Sequence, residues 1–173
     1  MVINMEEWQK KGIYATICLA TSVIVFLVVI SVAAPFLVKE SCTIEAGREL
    51  TVDKVVDNPI ARFVSSVQRQ PDLAQLGKQE VTIRVGVQNV TTEVIVRDRI
   101  APKVTLREVS VLRGNQCGID SFVVNIEDAT ETQLEYVKEP CFSIEGIQKV
   151  KIRVTDKAGN ETVTETKLIV VGT

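Results

Sequence analysis

Polarity along the chain falls into two regimes. From Gly12 to Val38 the sequence GIYATICLATSVIVFLVVISVAAPFLV carries no charge. Beyond it, apolar and polar residues alternate in short runs. Val81, Ile83 and Val85 alternate with Thr82 and Arg84, and Val150, Ile152 and Val154 with Lys151 and Arg153. A period of two in β-branched residues marks a strand with one buried face. Each run leads into a polar turn, GVQN at Gly86–Asn89 and KAGN at Lys157–Asn160. Gly and Asn there supply the positive φ that tight turns need. Return strands are predicted near Val90–Val96 and Val163–Val171, and shorter strands at TIEA (43–46), SVLR (110–113) and TQLEYV (132–137). IARFVSSVQ (60–68) fits a helical face as well, through Ile60, Phe63, Val64 and Val67.

The alternating part of the chain is written twice. Laying CTIEAGRELTVDKVVDN (from Cys42) on VSVLRGNQCGIDSFVVN (from Val109) matches Gly47 with Gly114, Val52 with Ile119, Asp53 with Asp120, Val56 with Val123 and Asn58 with Asn125. Further on, PDLAQLGKQEVTIRV (from Pro71) matches PCFSIEGIQKVKIRV (from Pro140), with Gly77 on Gly146. The register of the repeat assigns 60–68 to a strand. Short strands closed by frequent turns predict a β-sandwich for each copy. Copies this small carry thin cores.

The uncharged run exceeds the roughly 20 apolar residues that cross a bilayer as a helix. Lys10 and Lys11 precede it, and Trp8 and Tyr14 suit the headgroup level on that side. The charge bias places the N-terminus in the cytoplasm and the rest outside the cell. A cleaved signal peptide is the competing reading, with Ser31 and Ala33 as small residues before a cut. Its apolar core is usually only about 7–15 residues, so the uncleaved anchor is preferred. Cys42 is not expected to carry a lipid, since KESC lacks the small and apolar residues of a lipoprotein signal. The predicted organisation is a short cytoplasmic tail (1–11), a transmembrane helix (12–38), a first β domain (39–98), a linker (99–102) and a second β domain (103–173). Pro102 stiffens the linker by holding Ala101 extended.

A strand ending in VRD, then RIAP, then a domain closing on VTDKAGNETVTETKLIVV resembles bacterial immunoglobulin-like repeats of surface proteins. The segment DSFVVNIEDATETQLEYVKEPCFSIEGIQKVKIRVTDKAGN is similar to repeats of Firmicutes cell-surface proteins, some of which carry a transglutaminase-like domain after the repeats. The resemblance covers about residues 42–171. It implies a mainly β fold, an N-terminal transmembrane helix followed by two tandem small Ig-like β-sandwich domains. The first copy departs from the pattern at its hairpin, where GVQN replaces DKAGN.

Composition narrows the function. There is no histidine among the 173 residues, which removes the commonest general base and metal ligand and any Ser-His or Cys-His arrangement. No enzyme activity, catalytic residue or cofactor is expected. The net charge of −2 offers no basic footprint for nucleic acid. NIEDATE (125–131) and TDKAGNE (155–161) are rich in oxygen ligands, yet neither has the spacing of a known calcium loop. Asp and Asn bonding their own backbone explain the same residues, so no metal ligand is assigned. Cys18 falls in the membrane run. Cys117 and Cys141 replace Leu50 and Asp72 of the other copy, and this paired change predicts a Cys117–Cys141 disulfide in an oxidising compartment. Cys42 is then left free or pairs with a second chain.

These features predict a membrane-anchored extracellular tandem Ig-like protein that binds or spaces at the bacterial cell surface. Its expected partners are the lipid bilayer, through residues 12–38, and a cell-wall, glycan or protein ligand. Two alternatives remain open: the stalk of a surface enzyme whose transglutaminase-like domain lies outside this chain, and a bitopic subunit of a membrane assembly.

Overall fold

The computed structural model describes residues 5–172; the first four residues of the predicted tail lie outside them. The chain is mainly β, with a single long helix in front. Helix α1 (Met5–Leu37) takes in the uncharged run up to Leu37 and is long and apolar enough to cross a membrane. Its residues from Glu7 to Phe26 are exposed on every side. An apolar stretch of helix with no buried stripe has no protein core to serve, which suits a lipid surround.

Packing divides the rest into two units. The first takes in the chain up to Thr43, Glu49–Pro71 and Lys78–Ile95; the second takes in Ile44–Arg48, Asp72–Gly77 and the chain from Val96. Strand β1 (Ser41–Glu45) is followed by two short helices, α2 (Val52–Val55) and α3 (Pro59–Arg62), and then by β2 (Ser65–Val67), β3 (Gly77–Val85) and β4 (Gln88–Arg97). The sheet order is β1-β4-β3-β2. Later come β5 (Lys103–Leu106), β6 (Val109–Leu112), a 3-10 turn (Ile119–Phe122), β7 (Val123–Glu127), β8 (Thr132–Tyr136), β9 (Gly146–Asp156) and β10 (Glu161–Val171). Their large sheet runs β6-β10-β9-β8, and β5 pairs with β7 in a second small sheet.

The two large sheets have the same order once the repeat is applied: β6 stands for β1, β10 for β4, β9 for β3 and β8 for β2. β10 is antiparallel to β9 and parallel to β6. In the second unit the core is a true sandwich filling. Phe122, Val150, Ile152, Val154, Leu168 and Val170 are buried, with Val104, Leu106, Val109 and Val111 packed against them. The Phe122 and Tyr136 rings meet edge to face at 6.2 Å, a favoured aromatic geometry.

The first unit builds its core from Leu50, Val55, Val56, Ala61, Val81, Ile83, Val85 and Val94. Here the second layer differs. The segment predicted as strand at 60–68 begins as helix α3 and becomes strand only at Ser65. Asn58 causes the difference. Its side chain accepts from the Ile60 and Ala61 N–H groups at 2.9 and 3.1 Å, with Pro59 in the first helical turn. An Asn cap followed by Pro starts a helix whatever the repeat says.

The small β5–β7 sheet has a remnant in the first unit. Val38, directly after α1, forms an isolated antiparallel bridge with Val56, and in the repeat Val56 stands where Val123 of β7 stands. Lys39 N–H adds a hydrogen bond to Val55 O at 2.8 Å. The apolar helix therefore enters the first unit at the place that an opening strand occupies in the second, with no linker between.

Candidate functional site

The repeat carries one location through both units: the place where the incoming chain meets the long hairpin turn. In the first unit the incoming chain is α1. Leu27 and Ile30 are half-buried, and Ser31, Ala34 and Val38 are buried. That spacing is one helical face. Ser31 is 4 % exposed. Its Oγ donates to Leu27 O at 2.7 Å and accepts from Val87 N–H at 3.1 Å. Gly86, at φ +60, lets the turn approach. A Cβ there would lie 2.6 Å from Ser31 Oγ, closer than any real contact, so only glycine fits. The opposite side of the turn is held by Gly86 N–H to Val64 O at 2.8 Å.

Carried forward by the Gly47–Gly114 register, Ser31 falls on Asp98. In the second unit the corresponding meeting place is acidic. Asp98, Asp128 and Asp156 each bring a carboxylate oxygen within 4.8 Å of the others. They come from the joint before β5, the β7–β8 loop and the end of β9. Asp156, 6 % exposed, accepts from the Ala158 and Asn160 N–H groups, both at 2.8 Å, and from Asn160 Nδ2 at 2.7 Å. Asp128 Oδ1 accepts from Thr130 N–H at 2.8 Å and Thr130 Oγ1 at 3.0 Å. Asp98 Oδ1 accepts from Ile100 N–H at 3.1 Å, and its Oδ2 takes a longer bond from Thr130 Oγ1 at 3.3 Å. Asn160 Nδ2 also reaches Asp98 O at 3.3 Å.

Three anions this close repel one another, and the turn N–H groups, Thr130 and Asn160 offset that repulsion. Such oxygens are the ligand type of a hard cation like Ca2+, and these three are the residues that could hold one. In the structure the same lone pairs serve hydrogen bonds that pin three loops together. Two of the acids lie in the oxygen-rich turns singled out from sequence, 125–131 and 155–161. Asp98 was missed as a companion. Its one sequence mark, the VRD that leads from β4 into the joint, does not name its partners.

The predicted cysteine pair sits elsewhere in the second unit. Cys117 packs against the core and Cys141 is exposed. Gly114 N–H to Phe142 O at 2.9 Å joins the loops that carry them. Cys141 N–H donates to Gln148 Oε1 at 3.0 Å. Tyr136 Oη is buried without a protein hydrogen-bond partner. Burial, and then the negative charge available at Cys117, Glu139 and Asp120, push its hydroxyl up to about 12. In the first unit, burial raises the Cys42 thiol against the pull of Lys39 and Lys54.

No family model matches the chain, and no curated protein does. Among solved structures, the chain is similar to the EC1-2 fragment of human mucin-like protocadherin, at 12% identity and TM-score 0.36, covering 78% of this chain and 97% of that one. The EC1-2 fragment of human protocadherin-24 gives 13% identity and TM-score 0.29, over 77% of this chain and 95% of that one. An endo-fucoidan hydrolase of glycoside hydrolase family 107 is matched at 12% identity and TM-score 0.29, over 63% of this chain but only 22% of its own.

Proposed function

We propose that the protein is a single-pass membrane protein whose tandem Ig-like domains bind or space at the outer face of a bacterial cell, without catalysis of their own. The observation that carries this reading is the contrast within α1. Its residues from Gly12 to Phe26 are an exposed surface without charge, while one face of its last turns, Ser31 and Ala34, is built into the core of a β domain. A segment that is half solvent-incompatible and half domain scaffold suits a permanent anchor better than a leader to be removed. The lysines before the helix support an inward N-terminus. The absence of histidine supports a binding or spacing role. The likeness of residues 120–160 to Firmicutes surface repeats supports a second reading, in which these domains are the stalk of a transglutaminase-like surface enzyme.

Protease shaving of intact cells tests the proposal. Peptides from 42–171 should be released while the fragment containing Trp8 stays with the membrane. Released peptides that map beyond Thr173 and carry a catalytic domain would favour the stalk. A chain that resists shaving and fractionates with soluble cytoplasmic protein would overturn the anchor and the surface role together.

A further inference from the structure

The uncharged run is too long for the bilayer it is meant to cross, and the structure shows where the excess goes. At 1.5 Å per residue, Gly12–Val38 would extend roughly 40 Å, against about 30 Å of hydrocarbon. From Ser31 onward one face of the helix, Ser31 and Ala34 continuing to Val38, is built into the first unit's core, while Val32 and Phe36 stay exposed. The stretch before that contact, Gly12–Ile30, is roughly 28 Å long, the thickness of the hydrocarbon layer. The lipid boundary on the outer side therefore falls near Ile30. That is the level at which the β3–β4 turn touches the helix, through Ser31 and Leu27.

The same end of the first unit is apolar on its outside. Phe63 is 91 % exposed, Val87 67 % and Ile60 57 %. They are neighbours in the fold. Gly86 N–H binds Val64 O, next to Phe63, and Phe63 N–H binds Ile60 O. Phe36, also 91 % exposed, projects from the last turn of α1. Arg84 borders the turn, its Nε donating to Gly86 O at 3.3 Å. Bare aromatic and aliphatic tips bordered by an arginine, level with the end of a membrane span, have the composition of an interfacial anchor.

We propose that Ile60, Phe63 and Val87 form a membrane-docking surface. It inserts into the headgroup–acyl boundary of the bilayer that α1 crosses, so that the first unit sits directly on the membrane. The proposal rests on the membrane-span reading. What singles out lipid as the occupant is continuity: the patch abuts the helix at the point where the span must end.

Tryptophan scanning separates the two ideas. In a Trp8→Phe background, the full chain is reconstituted in bilayers with lipids brominated near the headgroup end of the acyl chain. Single variants Phe63→Trp, Phe26→Trp and Lys78→Trp are compared, the last at the far end of β3. Positions 63 and 26 should be quenched at least about twofold relative to 78, with blue-shifted emission at 63, as for a side chain 5–10 Å into the interface. Quenching at 26 but not at 63 would overturn the docking and leave the span intact. Absence of quenching at both would overturn the span and the docking with it. Equal quenching at 78 would mean unspecific adsorption and would overturn the proposal. So would a blue shift at 63 that depends on protein density and not on bromolipid, since a second copy would then cover the patch.

Discussion

Replacing Gly86 by alanine tests whether α1 is locked into the first unit. Two costs are separable. The first is backbone: at φ +60 a Cβ adds about 1 kcal/mol. The second is the collision of that Cβ with Ser31 Oγ at 2.6 Å. Relieving it swings the hydroxyl away from Val87 N–H and leaves a part-buried donor unpaired, another 1–2 kcal/mol or so. Gly86→Ala should thus cost about 2–3 kcal/mol in all. Ser31→Ala alone removes the hydrogen bond and should cost about 1 kcal/mol. With the hydroxyl gone, the nearest atoms to the new Cβ are Leu27 O at 3.5 Å and Ser31 Cβ at 3.8 Å, which are ordinary contacts. Gly86→Ala in the Ser31→Ala background should then cost only the backbone term, giving a coupling of about 1 kcal/mol or more. Pulse proteolysis of the full chain in nanodiscs across a urea series reads these stabilities, because cleavage there follows the unfolded population. Strictly additive costs, within about 0.5 kcal/mol, would refute the contact and with it the seating of the helix.

Other consequences are simpler to check. Asp156→Ala should destabilise the second unit by about 2–3 kcal/mol, since three donors lose a charged acceptor, whereas Asp156→Asn, which keeps one oxygen, should cost less than half of that by urea denaturation. Tyr136→Phe should be neutral or stabilising by up to about 1 kcal/mol, because the hydroxyl it removes is buried without a protein partner. The tyrosine's folded pKa, about 12, lies above its unfolded value near 10. Its contribution is therefore fully present below about pH 10 and is lost between about pH 10 and 12; the wild-type urea midpoint should fall more over that window than that of the phenylalanine variant. Protein purified without reductant should resist alkylation at Cys117 and Cys141 while Cys42 reacts, and the bridge should add roughly 3 kcal/mol. Labelling of all three in an intact-mass experiment would exclude it.

Much of this architecture was legible because two signals agreed. The alternation at 81–85 and 150–154 named the strands, and the repeat confirmed their partners, so β3, β4, β9 and β10 fall where the pattern places them. Ile60–Gln68 shows the limit of repeat logic. The Asn58–Pro59 cap is a local instruction, and it prevailed over the strand that the other copy adopts. The acidic cluster was half visible. Asp128 and Asp156 stood out in oxygen-rich turns, but nothing in a linear pattern brings Asp98 to them, because that meeting depends on a turn folding back onto a joint about 60 residues distant. The limits of the apolar run were hidden for a related reason. Hydropathy does not distinguish a residue facing lipid from one facing a protein core, so the burial of Ser31, Ala34 and Val38 against the first unit was invisible in the run.

The sheet order also sets the sequence of events during synthesis. β4 lies between β1 and β3, and β10 between β6 and β9. In both units the strand that emerges last is the one that must slide between two already made. Neither half can close its sheet from the edge as the chain emerges. Each waits, with β1 or β6 still unjoined to the rest of its sheet, until its final ten or eleven residues have emerged. The first unit can snap shut while the second is still being made. A truncation before Glu161 would therefore strip the second unit of its middle and leave β6 and β9 with nothing to join them, a far worse loss than a trimmed border.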